Sequence, residues 1–425
     1  MKIKVILKAF PMACLIFCCY SLQAQQKITL KDCYEWANQN YPLIKQKDLI
    51  GKTAQYNLSN LEKGILPQIS LNGQATLQSE VTSFKIPGIN YNPPSKDQYK
   101  VYAEINQPLT ELYTVKTLKE LQKAQTTVQE ENLSVDLYKI KERINQLFFS
   151  ILLADEQRKL NALNRKDIES GISKVTAAIN NGVDYKSSLD KLKAELIRNE
   201  QRDIEINAQR SAYSDMLSYF TNQKLNSKDI FMSPEVPILS TNINRPELKA
   251  FASREKILNV QEKLIHNKNI PKFSVFMQGG AGQPSPLNFI ARDLRPFFIG
   301  GLRLNWSFNN LYTQKNDKLL IGIERKNNDL QKELFIFNTH LMVQQQNNEL
   351  IKLNQLIQTD DQLVGLRNSI KTTSQVQLEN GVITANDYIK EVNAEDQARQ
   401  NKAMHQIQLL IAQYNLQFTT GNDNQ

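Results

Sequence analysis

The chain has 425 residues, a formal net charge of +9 and 41% hydrophobic residues, enough for two or three globular domains. The positive charge is spread along the sequence without a dense basic run, so it does not indicate a nucleic-acid partner. The chain has only four cysteines, and three of them precede residue 20. A fold held together by disulfides is therefore excluded.

Residues 1–24 have the pattern of a secretory signal peptide. Three lysines in the first eight residues precede an uncharged apolar run over 9–22, and Ala24 provides a small residue for cleavage. The run is too short for a membrane-spanning helix, although an uncleaved anchor is the alternative. Cleavage after Ala24 lowers the charge to +6 and leaves Cys33, which we expect to be buried. Lipidation of Cys18 or Cys19 is not expected, because Phe17 and Cys18 precede them instead of Gly, Ala or Ser.

The remaining sequence contains one structural unit twice. Four short matches lie in the same order in both halves, two of them 204 residues apart and two 199 residues apart. The pairs are Asn40-Tyr41-Pro42 with Asn244-Arg245-Pro246, Leu66-Pro67-Gln68 with Ile270-Pro271-Lys272, Leu112-Tyr113-Thr114 with Leu311-Tyr312-Thr313, and Asn181-Gly182-Val183 with Asn380-Gly381-Val382. Matches in register with one length difference indicate a duplication. We therefore assign residues 25–233 to a first structural repeat and residues 234–425 to a second.

Each repeat is predicted to contain the same elements in the same order. A helix, Leu30–Gly64 and then Pro246–Asn269, is followed by two strands joined by a loop rich in Pro, Gly, Ser and Asn. These loops cover 79–98 and 282–296. A long helix, a tight turn at Asn-Gly-Val and a return helix complete each repeat. The return helices are predicted over Asp184–Thr221 and Ile383–Phe418.

The predicted strands have one apolar and one polar face. In the first strand Ile69, Leu71, Ala75 and Leu77 alternate with Ser70, Asn72, Gln74 and Thr76, and in the last Leu302, Leu304, Trp306 and Phe308 alternate with Arg303, Asn305 and Ser307. This alternation over about 10 residues is typical of a transmembrane barrel with an apolar outside and a polar lumen. Two half-buried hairpins of a soluble protein are the alternative. Four strands cannot close a channel-sized barrel, so the barrel interpretation requires several protomers.

The long helices have the pattern of a coiled coil. Residues 109–233 contain no proline and only two glycines, which permits a long uninterrupted helix. Apolar residues recur at alternating spacings of four and three, a period of about 3.5, as expected of a coiled-coil seam. They are Leu133, Leu137, Ile140, Ile144, Leu147, Ile151 and Ala154. A single helix from Leu112 to Asn180 is about 100 Å long, so we predict an elongated α+β protein, mainly α, built on long coiled-coil helical hairpins and two β-hairpins.

In this combination the sequence resembles the TolC family of outer-membrane efflux and secretion channels, over essentially all of the mature chain. The matching pieces are Leu30-x-x-Cys33-x-x-x-Ala37, Leu66-Pro67-Gln68, Asn106-Gln107-Pro108-Leu109, Asn305-Trp306-Ser307-Phe308 and the segment from Gln377 to Tyr388. The resemblance implies a homotrimer whose protomers each give four strands to one barrel of 12, continued by an α-helical tunnel. It further implies a channel in the outer membrane of a Gram-negative bacterium, in contact with lipid, that passively conducts substrate from a periplasmic adaptor (membrane fusion) protein and an inner-membrane pump to the exterior.

The resemblance also implies where the functional residues lie. The two Gly-Val turns are expected at the periplasmic tip that contacts the adaptor, and Asn-Gly supplies the positive φ that a sharp reversal needs. The turn residues are Asn181, Gly182, Val183, Asn380, Gly381 and Val382. An ordinary helix–helix turn is the alternative for each. Asp387 matches the first acidic residue of the family's tunnel constriction, whereas Lys390, followed by Glu391, stands at the second position, so the charge of the constriction stays open.

Other chemistry is weakly indicated. His266, His340 and His405 are widely separated and are expected at the surface rather than in a metal site. Gly279-Gly280-Ala281-Gly282 lacks the Lys-Ser/Thr of a phosphate-binding loop. We therefore expect neither an enzyme nor a cofactor. A soluble periplasmic coiled-coil adaptor or scaffold protein is the main alternative function, but it does not account for two strand pairs set between helices. The substrate and the class of pump stay open.

Overall fold

The computed structural model describes residues 27–83, 87–88, 93–226, 229–288 and 290–422; the expected signal peptide lies outside these ranges. The described elements, in chain order, are β1 (Lys27–Ile28), α1 (Leu30–Asn40), α2 (Lys45–Lys63), β2 (Gln68–Leu77), β3 (Asp97–Pro108), α3 (Glu111–Asn180), α4 (Lys186–Thr221), β4 (Ile230–Phe231), α5 (Pro246–Asn267), β5 (Lys272–Gln283), β6 (Arg295–Asn305), α6 (Asn309–Glu379) and α7 (Ala385–Thr420).

The order helix, two strands, long helix and return helix occurs twice, which confirms the internally duplicated fold. The long helices α3 and α6 have 70 and 71 residues. Each forms an antiparallel hairpin with its return helix, and α3 also packs against α5 and α7. The predicted coiled-coil seam is the packed side of α3, where Leu133, Ile144 and Ile151 are buried.

The first helix is shorter than the sequence predicted. Instead of one helix over Leu30–Gly64, α1 ends at Asn40, and a 3₁₀ turn over Pro42–Ile44 separates it from α2. Proline disfavours the helical conformation in the residue before it. Tyr41 accordingly has the extended angles φ −60° and ψ 132°, and the helix breaks there.

The last strand is also shorter than predicted. Its alternation with Trp306 and Phe308 stops at Asn305, where β6 ends. The indole Nε1 of Trp306 donates to the carbonyl of Asn269 at 3.2 Å, and α6 begins just after Phe308. These aromatic residues therefore belong to the junction between strand and helix.

The four long strands form one antiparallel sheet in the order β2-β3-β5-β6. Its central pair joins the two repeats, with Val101 opposite Ala281 and Ile105 opposite Met277. The strands β2 and β6 are the edges, and neither has a second partner among the described residues. A separate short parallel pair, β1 with β4, lies beside a core that contains Cys33, Phe148 and Phe149. Burial raises the pKa of the Cys33 thiol to about 12, so it is an inert packing residue.

The two hairpins pack together near their tips around Tyr388. This α7 residue is 1% exposed and lies against Gly171 of α3. A Cβ on Gly171 would come within 2.9 Å of Tyr388 Cε1 and 3.3 Å of Leu192 Cδ2. The absent side chain therefore provides the space for the ring, whose hydroxyl donates to the carbonyl of Asp167 at 3.2 Å.

We expect Gly171→Val to destabilise this contact by about 1–3 kcal/mol, because the added methyl groups overpack the space that the Tyr388 ring fills. The matched control is Gly51→Val on α2, where an added Cβ meets nothing within 4 Å. Thermal unfolding followed by circular dichroism of the detergent-solubilised protein measures both. Equal midpoints for the two variants would contradict this packing.

Candidate functional site

The two hairpins end in the same turn. Gly182 and Gly381 have φ values of 75° and 68°, a left-handed conformation that glycine adopts without the penalty of a Cβ. The residue after each glycine donates its N–H to the helix, Val183 to Ala178 O at 2.9 Å and Val382 to Gln377 O at 2.8 Å. The glycine N–H groups bond to Ile179 O and Leu378 O. Both turns are therefore Schellman motifs, which satisfy the last helical carbonyls and reverse the chain within a few residues.

The turns present small apolar side chains to their surroundings. Val183 is 77% exposed and Val382 is 68% exposed. A Cβ placed on Gly182 or Gly381 would meet no heavy atom within 4 Å. Within the described chain both turns are therefore exposed.

The two tips are joined into one unit just behind the turns. A buried cluster of apolar residues from all four hairpin helices fills the space between them: Ile168, Val175, Leu192, Leu378, Ala385, Tyr388 and Val392. Lys174 of the first hairpin forms an ion pair with Glu379 of the second. Burial raises the pKa of Tyr388 to about 12, so its hydroxyl stays protonated and able to donate. The two turns therefore hold a fixed spacing.

Asp387 forms part of the cap of α7. Thr384 Oγ1 donates to Asp387 Oδ2 at 2.7 Å and accepts from the backbone N–H of Asp387 at 3.2 Å, which is a capping box. The hydrogen bond from Thr384 lowers the pKa of Asp387, and Lys390, 3.4 Å away, lowers it further. Glu391 pairs with Arg367 of α6 at 3.3 Å. Each of the three expected constriction residues therefore has an oppositely charged neighbour within its own protomer.

A second set of charges, which the sequence analysis did not single out, links the hairpins farther from the tips. Lys371 of α6 lies 2.8 Å from Asp167 of α3 and 3.4 Å from Glu395 of α7. Arg202 of α4 lies 2.8 Å from Asp396, whose pKa burial raises. Both carboxylates of α7 are nearly buried. The sequence signal that could have indicated this network is the adjacent acidic pair Glu395-Asp396 on a predicted coiled-coil helix.

The sheet is a second candidate surface, because its faces have the reverse of the usual exposure. On β3 the apolar residues Tyr99, Val101 and Ile105 are exposed, whereas the alternating polar residues from Gln98 to Asn106 are half-buried. The same inversion occurs on β5, where Phe273, Val275 and Met277 are exposed. The pairing puts the apolar residues that the alternation singled out on one face of all four strands, as predicted. Phe276, Phe297 and Ile299 lie on the other face, among the polar residues. A sheet of a soluble protein buries its apolar face.

The histidines differ from their expected setting in one case. His405 is half-buried, and its Nδ1 lies 2.6 Å from Asp360 Oδ2 on α6, whereas His266 and His340 are exposed as predicted. The sequence did not show that residue 405 faces the neighbouring helix. Across the described residues, no group of three or more His, Cys, Asp or Glu side chains could hold a metal ion.

None of the described helices combines the length and apolarity needed to cross a lipid bilayer.

Comparison with known proteins gives a structural likeness without a sequence match. No family model matches the sequence, and no curated protein matches it either. Among solved structures, CusC has a TM-score of 0.69 and 12% identity over 92% of this chain and 91% of that one. Its crystal structures address the conformational changes that accompany folding and transmembrane channel formation. The outer membrane protein VceC of Vibrio cholerae has a TM-score of 0.65 and 11% identity over 92% and 96%. The open outer membrane channel MtrE of Neisseria gonorrhoeae has a TM-score of 0.65 and 13% identity over 92% and 88%. The chain has the fold of the TolC family of outer-membrane channels.

Proposed function

We propose that this protein is an outer-membrane channel of a tripartite efflux or type I secretion system, which conducts substrate passively and catalyses no reaction. The observation that carries the proposal is the exposed apolar face of the sheet, behind which the polar residues of the central strands β3 and β5 are largely half-buried. Lipid against the apolar face and water against the polar face would satisfy both. The likeness to outer-membrane channels supports the same assignment.

The channel would be a homotrimer. The edge strands β2 and β6 present unpaired backbone N–H and C=O groups, which are costly in lipid. Pairing β6 of one protomer with β2 of the next would satisfy them. Three copies of the four-stranded sheet give a closed barrel of 12 strands, and the long helices would continue it as a tunnel into the periplasm.

The tips would contact a periplasmic adaptor protein that is bound to an inner-membrane pump. Two equivalent turns with exposed valines at a fixed spacing suit a repeated docking surface. We further propose export by a signal peptide over residues 1–24, and two repeats over 25–233 and 234–425. The alternative, a soluble coiled-coil adaptor or scaffold, leaves the exposed apolar face and the open edges of the sheet without a partner.

We expect native mass measurement to find three copies per particle, and only when the protein is extracted with detergent. A monomer or dimer obtained without detergent would contradict the channel and favour the adaptor.

The two faces of the sheet are tested by Leu71→Arg and its neighbour Asn72→Arg. We expect Leu71→Arg to reduce the membrane-embedded trimer strongly, because an arginine facing lipid costs about 2–4 kcal/mol near the bilayer centre. Asn72→Arg, on the polar face, should leave trimer recovery close to that of the unchanged protein.

The docking surface is tested by the double variant Val183→Asp and Val382→Asp. Since burying a valine contributes roughly 1.5 kcal/mol or more, we expect the affinity for the adaptor to fall by about 100-fold. Co-purification of the adaptor of the same organism with the trimer measures this loss. Ile204→Asp, an equally apolar and exposed position on α4, is the control. An undiminished complex would remove the proposed role of the tips.

Replacing Gly182 and Gly381 with bulky residues should abolish export and leave assembly of the trimer intact.

A role of Asp387 in narrowing the tunnel is tested with two variants that distinguish the charge of its carboxylate from its part in the cap of α7. We expect Asp387→Ala to raise the leak conductance of the trimer in a planar bilayer, because it removes a charge near the tip. Thr384→Ala breaks the capping box and keeps the carboxylate, so the leak should stay low. Because the pKa of Asp387 is lowered, its carboxylate stays charged through the ordinary Asp range and loses its charge only as the pH falls through the lowered value. A leak that follows the cap and not the charge would count against gating.

A further inference from the structure

The polar face of the sheet carries an uneven set of charges. The register assigns five charged residues to this face: Lys100, Glu104, Lys272, Arg295 and Arg303. Strand β2 contributes none, since its residues on this face are Gln68, Ser70, Asn72, Gln74 and Thr76. Four cations and one carboxylate therefore lie on the face that the proposed function turns toward water.

Three of the four cations are paired. Arg303 lies 2.8 Å from Glu104, whose other oxygen accepts from Gln278 Nε2 at 2.7 Å. Lys272 lies 2.9 Å from Glu111 at the start of α3, and Arg295 lies 3.1 Å from Asp293 in the preceding loop. These pairs leave little net charge at their positions.

Lys100 is held differently. No carboxylate within the described ranges lies at ion-pair distance from it. Its ammonium lies 4.4 Å from the centre of the Tyr102 ring and 4.8 Å from the centre of the Phe297 ring, where the ring electrons attract a cation. Glu104, the carboxylate that pairs with Arg303, interacts with Lys100 electrostatically without an ion-pair contact. The charge of Lys100 is therefore positioned by the rings and only partly balanced.

Gly280 makes this arrangement possible. It lies between Tyr102 on β3 and Phe297 on β6 as the cross-strand partner of both. A Cβ on Gly280 would come within 2.5 Å of Tyr102 Cβ. Because no side chain separates them, the two rings approach to 6.3 Å between centres, and the Lys100 ammonium lies against both.

We propose that Lys100 is a selectivity residue of the channel, which makes the sheet segment of the pore favour small anionic solutes over cations. The inference rests on the proposed function, because it needs the polar face to line water in a trimer. Three copies would then place three ammonium groups without an ion-pair contact at one level of the pore. An unpaired charge at a pore wall concentrates counter-ions locally and depletes ions of its own sign.

The experiment is the reversal potential of single trimers in planar bilayers under a KCl gradient. We expect Lys100→Gln to lower the chloride-to-potassium permeability ratio by roughly twofold or more at ~0.1 M salt, where charges act over about 10 Å. The difference should shrink at ~1 M salt, where that range falls to about 3 Å. Glu104→Gln, which frees Arg303 from its carboxylate, should shift the ratio in the opposite direction. Lys31→Gln, which removes an exposed lysine from α1, should leave it unchanged.

The outcomes separate the inference from the proposed function. Trimers that conduct, with the same ratio in Lys100→Gln as in the unchanged protein, overturn the inference alone. Trimers that never conduct overturn the channel itself. If Lys100→Gln does not assemble, Glu104→Gln provides the test. A chloride-to-potassium permeability ratio that stays constant or falls in Glu104→Gln excludes a water-lined, charge-selective face. Opposite shifts in the two variants support the proposal.

Discussion

The four-stranded sheet leaves its apolar face exposed, while the polar residues of its central strands β3 and β5 are largely half-buried. On one face Leu71, Val101 and Leu302 are all more than half exposed, and each would gain about 1.5–3 kcal/mol from burial. The two edge strands add unpaired backbone groups that favour pairing with another chain. Water can hydrogen-bond the edge groups but does not bury the apolar face, whereas lipid would cover that face and leave the edge groups without a partner. The proposed membrane barrel meets both requirements at once, with lipid against the apolar face and neighbouring sheets at both edges.

The helices connect this sheet to a region far from it. α3 and α6 begin just after β3 and β6 and run without interruption for 70 and 71 residues, about 100 Å at ~1.5 Å per residue. Their packing is coiled-coil packing, which stabilises a rod along its whole length instead of around one central core. At the far end Tyr388 in the space beside Gly171 and the Lys371 ion pairs fasten the two hairpins together. A rearrangement that separates the hairpins has to break those specific contacts.

The sequence predicted most of this fold because its signals are local and periodic. Alternation assigned the correct residues to the apolar face of the sheet, and the seam from Leu133 to Ala154 assigned the packed side of α3. The errors lie where an element ends: Pro42 broke a predicted helix, and the alternation after Asn305 continued in the sequence beyond the strand. Contacts between distant residues have no local signal. The pair His405–Asp360, the bonds of Lys371 and the space at Gly171 depend on which helices pack together, which periodicity does not determine.

The charged residues discussed at the hairpin tips and Lys100 on the sheet are held by different contacts, and this difference has a functional consequence. Near the tips the three expected constriction residues have partners within the protomer, Asp387 with Lys390 and Glu391 with Arg367. Paired charges hold helices in place, and each partner reduces the field of the other. On the sheet, Lys100 is held by aromatic rings and keeps its field. Docking and opening would then depend on the tips and charge preference on the sheet, so the two properties could be changed independently in one chain.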